Sequence, residues 1–269
     1  MVLRATLLIL AVALAGCVTR HEGEGQPLCL RCHPVHYAER GSCTDCHRGN
    51  DRTERREIAH AGLIPAKFAW FALDGSAPVA EGRKLLETFA CRRCHVAGGK
   101  GNRLATDLDT LLARGEPARI AAALRQPALA MPDFRLAEGQ VTLLVNAILA
   151  GGRRVPPAGR EVPQVVHFSQ EGEENVFAKR CGPCHRAISE RHGLLGRGEV
   201  APNLSGLLSP FYPKSFSEGE PWTDGRLRKW LDNPRAVRPN ARMQPVRLER
   251  AEFDRLVETL RVSRSSTQP

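Results

Sequence analysis

The chain has 269 residues, of which 42% are hydrophobic and 25% charged, and a formal net charge of +10. No basic patch is interleaved with aromatic residues, so the charge does not point to nucleic acid, and most Lys and Arg are read as a solvated face. Past the N-terminal stretch, no segment is apolar and long enough to cross a bilayer as a helix.

Residues 1–16 read as a signal peptide: Arg4 precedes an apolar run from Ala5 to Leu14 and the small residues Ala15 and Gly16. Leu14-Ala15-Gly16-Cys17 resembles a bacterial lipobox. That resemblance implies lipidation of Cys17, cleavage before it, and a mature chain that is lipid-anchored rather than membrane-spanning. The absence of Asp at Val18 implies the outer membrane, facing either the periplasm or the cell surface. Residues 17–27 form the anchored linker.

Cys-x-x-Cys-His then occurs four times: Cys29–His33, Cys43–His47, Cys91–His95 and Cys181–His185. Eight of the nine cysteines are consumed in this way. This is the attachment signature of haem c, in which both thiols add to the vinyl groups and the histidine ligates the iron. Zinc sites do not place a histidine directly after each Cys-x-x-Cys, and a redox dithiol would not recur four times. Four haem c groups are therefore expected. They are held covalently by Cys29, Cys32, Cys43, Cys46, Cys91, Cys94, Cys181 and Cys184, with His33, His47, His95 and His185 as proximal ligands. Losing Arg4 with the signal lowers the apoprotein charge to about +9. With the haem propionates counted, the holoprotein sits at about +5 oxidised and about +1 reduced.

The first two motifs start 14 residues apart, within residues 28–66. So short a stretch, with few large apolar side chains, does not fold on an apolar core alone, so two closely spaced haems are expected to serve as its core. Residues 67–77 read as a linker. An internal repeat follows at 78–150 and 170–262, joined by a Pro/Gly/Arg linker at 151–169 and ended by a tail at 263–269. In each copy a helix runs into the haem motif. Next come Leu124-Arg125-Gln126-Pro127 or Leu231-Asp232-Asn233-Pro234, then Met131 or Met243, then a last helix. The last helices carry Val141, Leu144, Val145 and Ile148, and Phe253, Leu256, Val257 and Leu260, each set on one face. Gly151-Gly152 is expected to end the first of these.

The two copies resemble class I cytochrome c, and the second is the closer match through Ala201-Pro202-Asn203-Leu204 and Trp230-Leu231-Asp232-Asn233-Pro234. It departs from the pattern by an insertion at 211–221 and by Gln244 after Met243. The resemblance implies two small all-α class I domains, giving a mostly α chain. The N-terminal pair resembles part of the bis-His multihaem cytochromes and is expected to have little regular structure.

Met131 and Met243 lie 36 and 58 residues after their proximal histidines and are the expected sixth ligands in the repeats. The N-terminal pair has no methionine nearby, so His36 and His60 are its expected sixth ligands, with His21 as the substitute. Which of them serves which haem stays open. His167 and His192 are read as non-ligands.

Six-coordinate haems carry electrons and do not readily bind substrate. Axial Met raises the potential above bis-His ligation, so a low-potential N-terminal pair and two higher-potential modules are expected. The reading is an electron-transfer lipoprotein of the cell envelope, working in respiratory or extracellular electron transfer. Its partners would be other cytochromes or a porin–cytochrome conduit, with membrane attachment through the lipid and no nucleic acid. An alternative is a haem reductase of an oxyanion such as nitrite, selenite or tellurite, or a dihaem-type peroxidase. The architecture is also similar to cytochrome lipoproteins of selenite and tellurite reduction operons.

Overall fold

The computed structural model describes residues 27–153, apart from 115 and 129, and residues 175–263. The signal segment, Cys17, His21, His167, most of the 151–169 linker and residues 264–269 lie outside the described residues. The described chain is mostly helical and divides into two units, 27–44 with 49–61 and 45–48 with 62–263.

The first unit holds 3-10 turns at Leu28–Arg31 and Ala38–Arg40, the start of helix α1 (Cys43–His47), and the single-turn helix α2 (Arg56–Ala59). Backbone bonds from Leu28 N to Asp51 O and from Asn50 N to Ala59 O, both 2.9 Å, tie its loops together. None of its described residues is buried. Val35, Tyr37 and Ile58 are all exposed. A unit with no apolar core needs something else to offset its backbone entropy.

The second unit opens with a difference from the sequence reading. Residues 67–77, expected to be a linker, include most of a 3-10 helix, Ala66–Ala72, whose Phe68, Ala69 and Phe71 are buried. Its aromatic side chains join the core of the first repeat. Helix α3 (Ala77–Thr88) leads into the third motif. Then follow α4 (Leu111–Arg114), α5 (Pro117–Arg125), which starts on a proline as helices tolerate, and the central α6 (Glu138–Gly152). Val141, Leu144, Val145 and Ile148 are all buried. So are Asn146, Ala147, Leu149 and Ala150, because α6 is wrapped on several sides. It ends at Gly152, where the Gly151-Gly152 pair is expected to stop it. A Cβ on Gly151 would lie 2.5 Å from the Asp109 carboxylate, so these glycines admit a loop close to the helix.

Helix α3 crosses α6 at Gly82, where an added Cβ would lie 2.1 Å from the Leu143 carbonyl oxygen. Gly82→Ala must therefore separate two packed backbones. We expect it to lower stability by about 1–3 kcal/mol, read as an earlier urea midpoint by circular dichroism.

The second repeat begins with α7 (Val176–Arg180), capped by the Asn175 side chain, which accepts from Ala178 N at 3.1 Å. After the fourth motif comes a β hairpin, an addition to the all-α expectation: β1 (Ala187–Ser189) pairs antiparallel with β2 (Gly193–Leu195), with Ala187 opposite Leu195. His192 lies in its turn. Helices α8 (Asp224–Asp232), α9 (Pro234–Val237) and α10 (Arg250–Leu260) complete the repeat. Phe253, Leu256, Val257 and Leu260 are buried with Phe177, Leu227 and Leu231 in one core. Among the described residues no helix is long and apolar enough to cross a membrane.

Candidate haem sites

The first, third and fourth motifs fold into the same tight turn. The histidine N–H donates to the carbonyl of the first cysteine at 3.0 Å for His33, 3.0 Å for His95 and 2.9 Å for His185. The second motif is helix α1 itself. A helical turn puts positions i, i+3 and i+4 on one face, which is where two thiols and an imidazole must converge to hold one porphyrin. No disulfide joins the described cysteines. Burial pushes the Cys91 and Cys181 thiols up to about 11, so these sulfurs are kept neutral, as a thioether also is.

Three of the motif histidines are oriented by one ring nitrogen. The Nδ1 of His47 lies 3.0 Å from Ile64 O, that of His95 2.8 Å from Thr106 O, and that of His185 2.7 Å from Pro202 O. A carbonyl only accepts, so each Nδ1 carries the proton and each Nε2 presents its lone pair to a metal. Burial holds the His95 imidazole below its usual range, against the opposing pull of the Thr106 carbonyl, and this too favours the neutral, ligating form.

In the second repeat a cavity of about 730 Å³ is bounded by Cys181, Cys184 and His185 and also by Met243. Its size suits a large planar cofactor and its lining is dominantly apolar. These residues fit haem c, with a proximal histidine, two attachment sulfurs and a thioether around one space. The Met243 Sδ accepts from Trp230 Nε1–H at 3.0 Å. Trp230 stacks edge-on with Trp222 at 5.7 Å, and Trp222 with Phe216 at 5.3 Å. The insertion at 211–221 thus walls the cavity through Tyr212 and Ser215 and backs it through Phe216. Arg180, Arg238 and Arg242 also line the space and offer cations to propionates.

In the first repeat, the Met131 loop is framed rather than free. Arg125 makes a bidentate pair with Glu138 at 2.6 and 2.7 Å, which closes the loop between α5 and α6. Phe134 packs on Phe89 at 5.2 Å between centroids, which brings the loop against the entry to the third motif. Met131 is half-buried there. Asp109 accepts from Gly98 N and Gly99 N at 2.7 Å each and fixes the turn that follows His95.

In the N-terminal unit the His33 and His60 rings lie 6.1 Å apart, tilted by 55°. Two imidazoles on opposite faces of one iron, each with a metal–nitrogen bond of about 2 Å, have centroids about 6 Å apart. The His36 ring lies edge-on to Tyr37 at 5.8 Å. Burial, and then the nearby Cys43 thiol, push Cys29 up, so sulfurs of the first two motifs are neighbours.

Residues 77–147 match the family model described as cytochrome c oxidase, cbb3-type, subunit III. That match supports a c-type cytochrome, with haem c binding and electron transfer in general. It covers α3, the third motif, the Met131 loop and most of α6. No solved structure matches the chain. Sequence reasoning missed Trp230 as a partner of sulfur and Asp109 as a turn-holder. The first was visible only as part of Trp-Leu-Asp-Asn-Pro, and nothing in the sequence signalled the second.

Proposed function

We propose that the chain is a tetrahaem c-type electron carrier, anchored through Cys17 to the cell envelope and exchanging electrons with other cytochromes or with a porin–cytochrome conduit. The observation that carries this reading is that His185 and Met243 line one cavity, so that both could hold one haem and leave no open position for substrate. In this reading Met131 serves the haem of His95. His60 serves the haem of His33. The bound group supplies one-electron redox chemistry. The protein supplies fixed ligands, dry walls and cations for the propionates, all of which keep reorganisation small when charge changes. The N-terminal pair would be of low potential and the two methionine sites higher.

A reductive titration of the purified holoprotein, followed by low-temperature electron paramagnetic resonance and by mass, tests this. Four haems per chain, all low-spin, in two potential groups are expected. Fewer haems, a high-spin ferric signal in the resting protein, or four equal potentials would sink it. His60→Ala is expected to convert one low-spin bis-imidazole signal to high-spin and leave the methionine sites unchanged. An unaltered N-terminal spectrum would remove His60 from the ligand set.

A further inference from the structure

Among the described residues the two repeats touch through the short segment Pro202–Tyr212, and its two sides serve different sites. Pro202, Leu204, Leu207 and Tyr212 line the cavity of the second repeat, and the Pro202 carbonyl fixes His185. The next residue, Asn203, turns the other way. Its Nδ2 donates to the carbonyl of Ala130, the residue before Met131, at 2.8 Å. Its own carbonyl accepts from Arg93 Nη1 at 3.3 Å, inside the third motif, and from the Tyr212 hydroxyl at 3.1 Å. Its Oδ1 accepts from Ser205 N at 2.9 Å, which holds the side chain in place. The backbones are close here: Gly206 has φ +69°, and a Cβ on it would lie 2.4 Å from the Arg93 carbonyl oxygen. Asn102 closes the seam, donating to Arg93 O and to Ser209 Oγ at 2.8 Å each.

We propose that Asn203 is a positioning residue that couples the two class I sites, holding the sixth-ligand loop of one while it continues the loop that orients the proximal histidine of the other. The inference rests on the reading of both repeats as haem c modules. A shift of the Met131 loop then pulls on Asn203 and reaches His185 through one peptide unit. A change in the ligation of either site must therefore alter the potential of its neighbour.

A double-mutant cycle read in midpoint potentials tests the coupling. Met131→Ala should shift the potential of the His185 site, which it does not ligate. In Asn203→Ala the same Met131→Ala change should lose at least half of that cross-effect, while Asn203→Gln, which keeps an amide, should recover part of it. Should Asn203→Ala fail to fold, Tyr212→Phe removes only the hydroxyl bond to the Asn203 carbonyl and should also weaken the cross-effect. Additive shifts, with haem present in both repeats by mass, overturn the inference and leave the electron-carrier reading standing. A repeat without covalent haem overturns both.

Discussion

Met243→Ala is expected to lower the midpoint potential of the His185 site by on the order of 0.2 V, a fraction of the ~0.8 V that axial ligands span. The thioether is a neutral, soft donor that favours ferrous iron, and its loss leaves water or an added base as the sixth ligand. The replacement also removes the acceptor of the Trp230 indole N–H, leaving that donor facing the cavity. The measurement is a spectroelectrochemical titration, with loss of the methionine–iron charge-transfer absorption and appearance of a high-spin signal. Trp230→Phe separates the two contributions. It keeps an aromatic wall and the iron ligand but removes the hydrogen bond that draws electron density from sulfur, so the shift should have the same sign and reach only tens of millivolts, a typical outer-sphere effect. An unchanged potential in Met243→Ala would remove the methionine from the ligand set, whatever else lines the cavity.

The parts of this site that were legible in the sequence were those with a covalent or periodic signature. Cys-x-x-Cys-His announces its chemistry in five residues. The offsets of Phe253, Leu256, Val257 and Leu260 announce a buried helix face, and all four are buried in α10. The distance from each haem motif to its methionine was also readable. What stayed hidden was built by single polar atoms meeting at long sequence separation. Nothing local to Asn203 tells that its amide reaches Ala130, 73 residues away. Nothing local to His60 tells that its ring sits beside His33. The Gly151-Gly152 pair reads as a helix stop, and α6 does end at Gly152. Its close packing against Asp109 is a tertiary demand that nothing in the local sequence signals. Residues 67–77 are no linker because Phe68, Ala69 and Phe71 of the Ala66–Ala72 turn are buried.

That segment carries the largest stability effect we expect. Asn146 is fully buried in the middle of α6, where a polar side chain has no propensity reason to be. Its Oδ1 accepts from Phe71 N at 3.0 Å, and its Nδ2 donates to Lys67 O at 2.8 Å and Thr142 O at 2.9 Å. It therefore caps both ends of the Ala66–Ala72 turn from inside the core. Asn146→Ala would leave an amide N–H and a carbonyl unpaired away from water and open a small void. The cost is about 2–5 kcal/mol, from roughly 1–3 kcal/mol per stranded polar group. Asn146→Leu restores volume but not bonds, so it should recover only the void's share. The loss should be local before it is global. Releasing the turn exposes Phe68 and Phe71, so hydrogen exchange at the Phe71 amide should accelerate while amides of α8 and α10 keep their protection. The His185 site should keep its potential, since the Ala66–Ala72 turn contributes no residue to its cavity wall. A change below 0.5 kcal/mol with Phe71 still protected would mean that α6 and the aromatic turn hold together by apolar packing alone.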